Sequence, residues 1–311
     1  MFIGREKELA ELQRRYDQSG FQFVVIFGRC RVGKTRPIRE FAAKLKSIYL
    51  MATEKEPTRL LAELTETVKL CINDEITRYL DTFSSWEALF EYVGEKAKKE
   101  RLVLTIDEYP YLAKVYPSIS SIIHKYIDEQ WRDTNLYLIL CGSSMSFIER
   151  QVLGYPSPLY GHRTAQLLVR PLPYDESAQF FPAWNAEDSL LSYGICGGIP
   201  QYLKYFIRYT NLHDAVSGEF LMLTGHLYEE PKNLMNQELR APAAYNSIIE
   251  AVARGMTKQN EIAQACGREC NAILPYLKNL ILLEIVGKQS PVGTGAAQRF
   301  VYVIADNLYR F

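Results

Sequence analysis

Eight consecutive residues, Gly28-Arg29-Cys30-Arg31-Val32-Gly33-Lys34-Thr35, have the spacing of a loop that wraps a phosphate. Successive backbone N–H groups can turn inward around an anion only where glycine removes a Cβ that would clash or forbid the backbone angle. A helix following such a loop adds unpaired donors and a partial positive charge at its N-terminus. In this arrangement Lys34 is expected to reach the outer phosphates and the Thr35 hydroxyl to ligate Mg²⁺. Arg36, next in the chain, extends the nucleotide-contacting stretch. The flanks agree, since Phe23-Val24-Val25-Ile26-Phe27 reads as a buried strand and Ile38 to Leu45 as a helix. Pro37 falls in the first helical turn, where its missing N–H is not needed. Cys30, between two arginines and near a helix N-terminus, is placed where the thiolate is favoured.

A second stretch, Leu102-Val103-Leu104-Thr105-Ile106-Asp107-Glu108, is a nearly continuous apolar run ending in two carboxylates. Strands buried on both faces read this way. Behind a complete phosphate loop, Asp107 is expected to face Mg²⁺ and Glu108 the attacking water. Another buried run, Leu136 to Cys141, leads into Gly142-Ser143-Ser144. These small polar residues have two readings: contacts to the γ-phosphate or the water beside it, with Ser143 the candidate, or the N-cap, at Ser143 or Ser144, of a helix over Met145 to Glu149. Arg163, ahead of a fifth strand at Ala165 to Val169, is either a group that stabilises charge spreading over the γ-phosphoryl or a solvated arginine.

The elements that must position these groups follow from periodicity. Leu9, Leu12 and Tyr16 make an amphipathic helix over residues 5 to 18, and Ile48 to Ala52 a short second strand. Surface helices are expected over 57 to 72 and 84 to 99, with stripes of Leu60, Leu61, Leu64 and Val68, then Trp86, Leu89, Phe90 and Val93. From Tyr174 to Glu238 the pattern is helical throughout, a small lid in which Gly197-Gly198-Ile199-Pro200 opens one helix. After a break at Leu239-Arg240-Ala241-Pro242, helices are expected over 243 to 254, from a Thr257 cap, and over 270 to 282 beyond a turn at Gly267. A hairpin of Leu283 to Val286 with Phe300 to Ile304, around a tip at Ser290 to Ala297, completes a winged helix-turn-helix. The expected domains are an α/β unit at 1–173, the lid at 174–239 and the winged helix at 240–311.

At 311 residues, 48% apolar and 23% charged, the chain has the composition of a globular protein of more than one domain. Lys+Arg and Asp+Glu stand at 36 each, so no global field draws it to nucleic acid or an anionic membrane. No apolar run is long enough to span a bilayer, and the N-terminus is charged too early for a secretory signal, so a cytoplasmic location is expected. The cysteines lack zinc-site spacing and are expected to be reduced. From residue 240 onward eight basic residues stand against five acidic ones, which leaves duplex DNA and a protein partner both open for the winged helix.

Taken together, Phe2-Ile3-Gly4-Arg5-Glu6, the Gly28 to Thr35 loop, Asp107-Glu108, Gly142-Ser143-Ser144, Arg163-Thr164 and Gly197-Gly198-Ile199-Pro200 resemble the prokaryotic, especially archaeal-type, AAA+/STAND-related ATPases. The resemblance implies a P-loop NTPase fold with a parallel five-stranded sheet of order 5-1-4-3-2, a helical lid and a C-terminal winged helix. It implies ATP/ADP and Mg²⁺ as ligands. It would lay Phe2, Ile3, Gly4 and Arg5 against adenine, make Ser143 a γ-phosphate sensor, match Arg163 to the arginine-finger region and bring Pro200 of the lid to the nucleotide. Related proteins carry a basic residue in the lid where this chain has Gln201, which implies slow hydrolysis. They also continue past the winged helix into a nuclease-like domain, near whose expected beginning this sequence ends.

The reading that follows is a slowly hydrolysing ATP switch, coupled to a protein partner, to duplex DNA or to further copies of itself. A DNA-binding regulator that holds ATP as a structural ligand is the alternative. A nucleotide or small-molecule kinase fits less well, because a strand separates Asp107-Glu108 from the phosphate loop in the implied order.

Overall fold

The computed structural model describes residues 3–239, 242–290 and 300–311. The chain divides into two compact units, one of residues 5–170 and one of residues 1–4 with 171–311. The second unit holds both segments that the sequence divides into lid and winged helix.

In the first unit, chain order runs α1 (Glu6–Tyr16), β1 (Gln22–Phe27), α2 (Thr35–Ala42), β2 (Ser47–Met51), α3 (Pro57–Cys71), α4 (Glu75–Tyr79) and α5 (Trp86–Lys99). It continues through β3 (Leu102–Asp107), α6 (Tyr109–Val115), α7 (Ile119–Glu129), β4 (Leu136–Gly142), α8 (Met145–Ile148) and β5 (Ala165–Leu168). The strands form one parallel sheet of order β2-β3-β4-β1-β5, the expected order read from its other edge. Parallel strands covered on both faces have no polar alternation, and every residue of β3 and β4 is buried.

Side-chain alternation along each strand then decides which face carries chemistry. Leu102, Leu104 and Ile106 join Phe23, Val25, Leu138 and Leu140 in a core shared with the buried stripes of α3, α5, α6 and α7. Tyr137, on the opposite face of β4, packs with Tyr16 of α1 and Phe41 of α2, and its hydroxyl donates to the Leu12 carbonyl at 3.1 Å. Asp107 is one residue beyond Ile106, so its side chain emerges on the α2 side of the sheet. The helices over 57–71 and 86–99 are half-buried partners of the core, and α6 and α7 occupy a stretch for which the sequence raised no expectation.

The second unit is helical from α9 (Tyr174–Ala178) through α10 (Ala186–Cys196), α11 (Pro200–Phe206), α12 (Leu212–Val216) and α13 (Glu230–Glu238). Then come α14 (Pro242–Ala253), α15 (Gln259–Ala265), α16 (Leu274–Leu282), an antiparallel pair β6 (Val286–Gln289) and β7 (Val301–Ile304), and α17 (Asn307–Arg310). Three details differ from expectation. The hairpin's first strand starts at Val286, because Glu284 turns the chain at φ +57° and Leu283 and Ile285 are buried in that turn. Cys270–Ile273 forms a 3-10 turn before α16, with Pro275 in the helix's first turn. Thr257 does not cap α15; instead the Glu261 carboxylate accepts the N–H groups of Lys258 and Thr257 at 3.2 and 3.3 Å. Phe2, the break at Arg240-Ala241 and most of the hairpin tip lie outside the described residues. No helix among the described residues is long and apolar enough to cross a membrane.

Candidate active site

The phosphate loop joins β1 to α2, and α2 begins at Thr35 with Pro37 in its first turn. Gly28 is obligatory for space, since a Cβ there would lie 2.3 Å from the Val169 carbonyl oxygen. Gly33 is obligatory for conformation, at φ +86°, and Arg31 takes the left-handed region at φ +70°. Lys34 is buried and its Nζ donates to the Arg29 carbonyl at 2.9 Å, which folds the ammonium back over the loop. Arg29 and Val32 are buried, Cys30 is half-buried and in no disulfide, and Arg36 is exposed on the first turn of α2. Stoichiometric alkylation of Cys30 is therefore expected to block nucleotide binding, a result checked by mass spectrometry alongside a nucleotide titration; binding that survives full labelling would refute it.

Asp107 is fully buried and surrounded by donors. Its Oδ2 accepts from the Thr35 hydroxyl at 2.8 Å and from the Tyr49 hydroxyl at 2.6 Å, and its Oδ1 accepts the Glu108 N–H at 2.9 Å. The proposed metal ligands Thr35 and Asp107 are thus adjacent, as a hard cation with oxygen ligands requires. Tyr49 was not legible as a site residue. Pairing of β2 with β3 sets Tyr49 opposite Thr105 on the face that carries Asp107, and the long ring reaches along the strand. Burial and the neighbouring carboxylate push the Tyr49 phenol well above its ordinary range, so it remains a donor to Asp107. Burial likewise raises the Cys141 thiol beside Asp107.

Glu108 turns the end of β3 into α6 at φ +52°. Its Oε2 accepts both the N–H of Ser143, at 3.1 Å, and its hydroxyl, at 2.8 Å. Ser144, not Ser143, stands at the N-cap of α8, and Ser143 spends its hydroxyl on the candidate base.

Arg5 bonds to the phosphate loop itself. The guanidinium is buried, donating to the Val32 carbonyl at 2.6 Å, the Arg170 carbonyl at 2.7 Å and the Glu8 carboxylate at 2.9 Å. Its hydrogen bonds brace the phosphate loop from behind. Ile3 and Gly4 belong to the second unit, where a Cβ on Gly4 would strike the Glu176 carboxylate at 2.0 Å. Pro200 also belongs to that unit, at the first position of α11 after Gly197 and Gly198, both at positive φ.

The sheet does not bring Arg163 to its own loop. Thr164 N–H bonds the Phe23 carbonyl at the start of β1, whereas Val169 N–H bonds Phe27, where β1 enters the loop. Four residues of β1 separate these points, roughly 13 Å at ~3.3 Å per residue. Arg163 lies near the Tyr160 ring, 5.9 Å from its centroid, and its Nη1 has no hydrogen-bond partner.

An ATPase domain family described as predominantly from Archaea matches residues 2–206. An uncharacterized protein of Methanocaldococcus jannaschii is 32% identical over the whole of this chain, which covers 68% of that protein's length. An uncharacterized ATP-binding protein of the same organism is 37% identical over 46 residues, 15% of this chain and 78% of that protein. Among solved structures, the Walker-type ATPase of Pyrococcus abyssi superimposes with a TM-score of 0.74 at 19% identity, covering 99% of this chain and 95% of that one. The ORC2 protein of Aeropyrum pernix, solved in ADPNP and ADP complexes, gives 0.63 at 13% identity, with 98% and 90% covered. At these identities the two structures speak for the fold, and with a matching phosphate loop, strand order and family profile the chain belongs to the ATPase domain family found predominantly in Archaea.

Proposed function

We propose that this ATPase is a slow, Mg²⁺-dependent, nucleotide-operated switch. The observation that carries the reading is the convergence of Thr35, Asp107, Glu108 and Ser143 at the ends of adjacent strands beside the loop. The loop amides and Lys34 bind the phosphates of ATP. Thr35 and Asp107 would hold Mg²⁺, whose charge would neutralise that of the outer phosphates. Glu108, its carboxylate fixed by Ser143, accepts a proton from the attacking water. Gln201, in place of a basic lid residue, supports slow turnover.

The position of Arg163 favours action on a neighbouring copy of the chain, because its own loop lies at the other end of β1. Turnover per chain is then expected to rise with protein concentration until an oligomer saturates, and a flat dilution series would refute this. The second unit carries the response to nucleotide. The three helices α14, α15 and α16, followed by the antiparallel pair β6 and β7, support the winged-helix reading. Lys278 is the single cation on α16, which favours a protein partner over duplex DNA. The decisive measurement is Mg²⁺-dependent phosphate release by the wild type and Glu108→Gln, with nucleotide binding followed in parallel. Tight binding without turnover in either protein would support ATP as a structural ligand instead.

A further inference from the structure

Away from the nucleotide loop, two imidazoles and a carboxylate meet on the outer surface of the first unit. The buried stripe Ile119, Ile123 and Ile127 fixes how α7 lies on the core, and this leaves His124 and Asp128, one helical turn apart, side by side on its outer face. His124 Nε2 is 3.1 Å from Asp128 Oδ2, and both side chains are 39% exposed. The third group arrives from the segment leading to β5. There buried Leu159 anchors a turn in which His162 N–H bonds the Leu159 carbonyl, and Thr164 is bonded to the edge of β1. His162 Nδ1 comes to 3.5 Å from Asp128 Oδ1, and the two imidazole rings meet edge to face at 4.7 Å. One ligand atom from each residue lies within 4.8 Å of the others.

We propose that His124, Asp128 and His162 form a binding site for a divalent transition metal of the Zn²⁺ type. Two imidazoles select against Mg²⁺ and Ca²⁺, which take oxygen ligands, and suit Zn²⁺, Ni²⁺ or Co²⁺. Tetrahedral bonds of ~2 Å place ligand atoms roughly 3.3 Å apart, which small rotations of two part-exposed side chains on α7 can reach. The fourth position is open to water. Arg132 now marks the place of the cation. Its guanidinium is 2.7 Å from Asp128 Oδ1 and 3.1 Å from His162 Nδ1, and because it donates to that nitrogen, His162 Nδ1 presents a lone pair. At 59% exposure the arginine is free to swing into solvent when a metal displaces it. A bound metal would tie α7 to the segment carrying Arg163, immediately after His162, and so fix the backbone from which that arginine extends.

The test is Zn²⁺ titration of the tag-free full chain by calorimetry in excess Mg²⁺, which keeps Thr35 and Asp107 out of the competition, with Co²⁺ absorption as a second readout. One equivalent is expected, with Co²⁺ bands of low-coordinate nitrogen and oxygen ligation. His124→Gln and His162→Gln should each weaken binding by at least about tenfold. Arg132→Gln, which removes the competing cation, should tighten it. Absence of stoichiometric binding, binding unchanged in the His124→Gln/His162→Gln double variant, or weaker binding in Arg132→Gln would each overturn the proposal.

Discussion

Glu108→Gln is expected to lower ATP turnover by roughly 10²- to 10⁴-fold, the usual contribution of a positioned general base, while nucleotide binding persists. The separation of the two effects follows from the geometry. Glutamine has nearly the shape of glutamate, and its amide oxygen can still accept the Ser143 N–H and hydroxyl, so the corner between β3 and α6 keeps its form. The loop, Lys34, Thr35 and Asp107 are untouched by the change. What disappears is the carboxylate's capacity to take a proton from water. Phosphate release and equilibrium nucleotide titration on the same preparation check this; undiminished turnover in the variant would remove Glu108 from the reaction.

Arg5→Met, which keeps the apolar stem and deletes the donors, is expected to destabilise the nucleotide-free protein and weaken nucleotide binding together. Two backbone carbonyls, Val32 in the loop and Arg170 after β5, lose a charged donor in a buried setting. Each orphaned group costs ~1–3 kcal/mol, so a loss of roughly 2–6 kcal/mol is expected in urea unfolding. The Val32 peptide is part of the cradle, and once its carbonyl is released the adjoining N–H groups are no longer held toward a phosphate. Saturating ADP should recover part of the lost stability, because a ligand that binds only the folded state shifts unfolding by mass action. A variant with normal stability but impaired binding would instead support the adenine contact that the sequence resemblance implies for this segment.

The contrast between Arg5 and Glu108 shows where sequence reading succeeds and stops. The loop, the buried runs of β1, β3 and β4 and the carboxylates at the end of β3 were legible because each is a local pattern whose physics is complete within eight or so residues. Strand order came with the family likeness. Tyr49 was not legible, because its role depends on β2 lying beside β3 and on the phase of that pairing. The bond from Arg5 to Val32 spans 27 residues and that from Tyr49 to Asp107 spans 58, separations over which no periodicity carries information. The position of Arg163 before β5 was readable, but the end of the sheet it occupies depends on the pairing of β5 with β1. His124 and Asp128 had helical spacing all along, yet only the turn at Leu159 reveals that a third ligand atom reaches them.

The left-handed backbone at Glu108 has one more implication. A residue with a Cβ gives up ~1 kcal/mol or more in that conformation, and glycine would adopt it without strain. Folding alone therefore does not select glutamate at this corner. The fold retains a less comfortable residue where the strand must end abruptly enough to aim a carboxylate sideways at Ser143, and the compensation is visible in the hydrogen bonds that receive it. A relaxed, extended backbone at 108 would continue the alternation of β3 and turn the same side chain to the face opposite Asp107, and the chemistry would lose its aim although every atom needed for it remained in the chain.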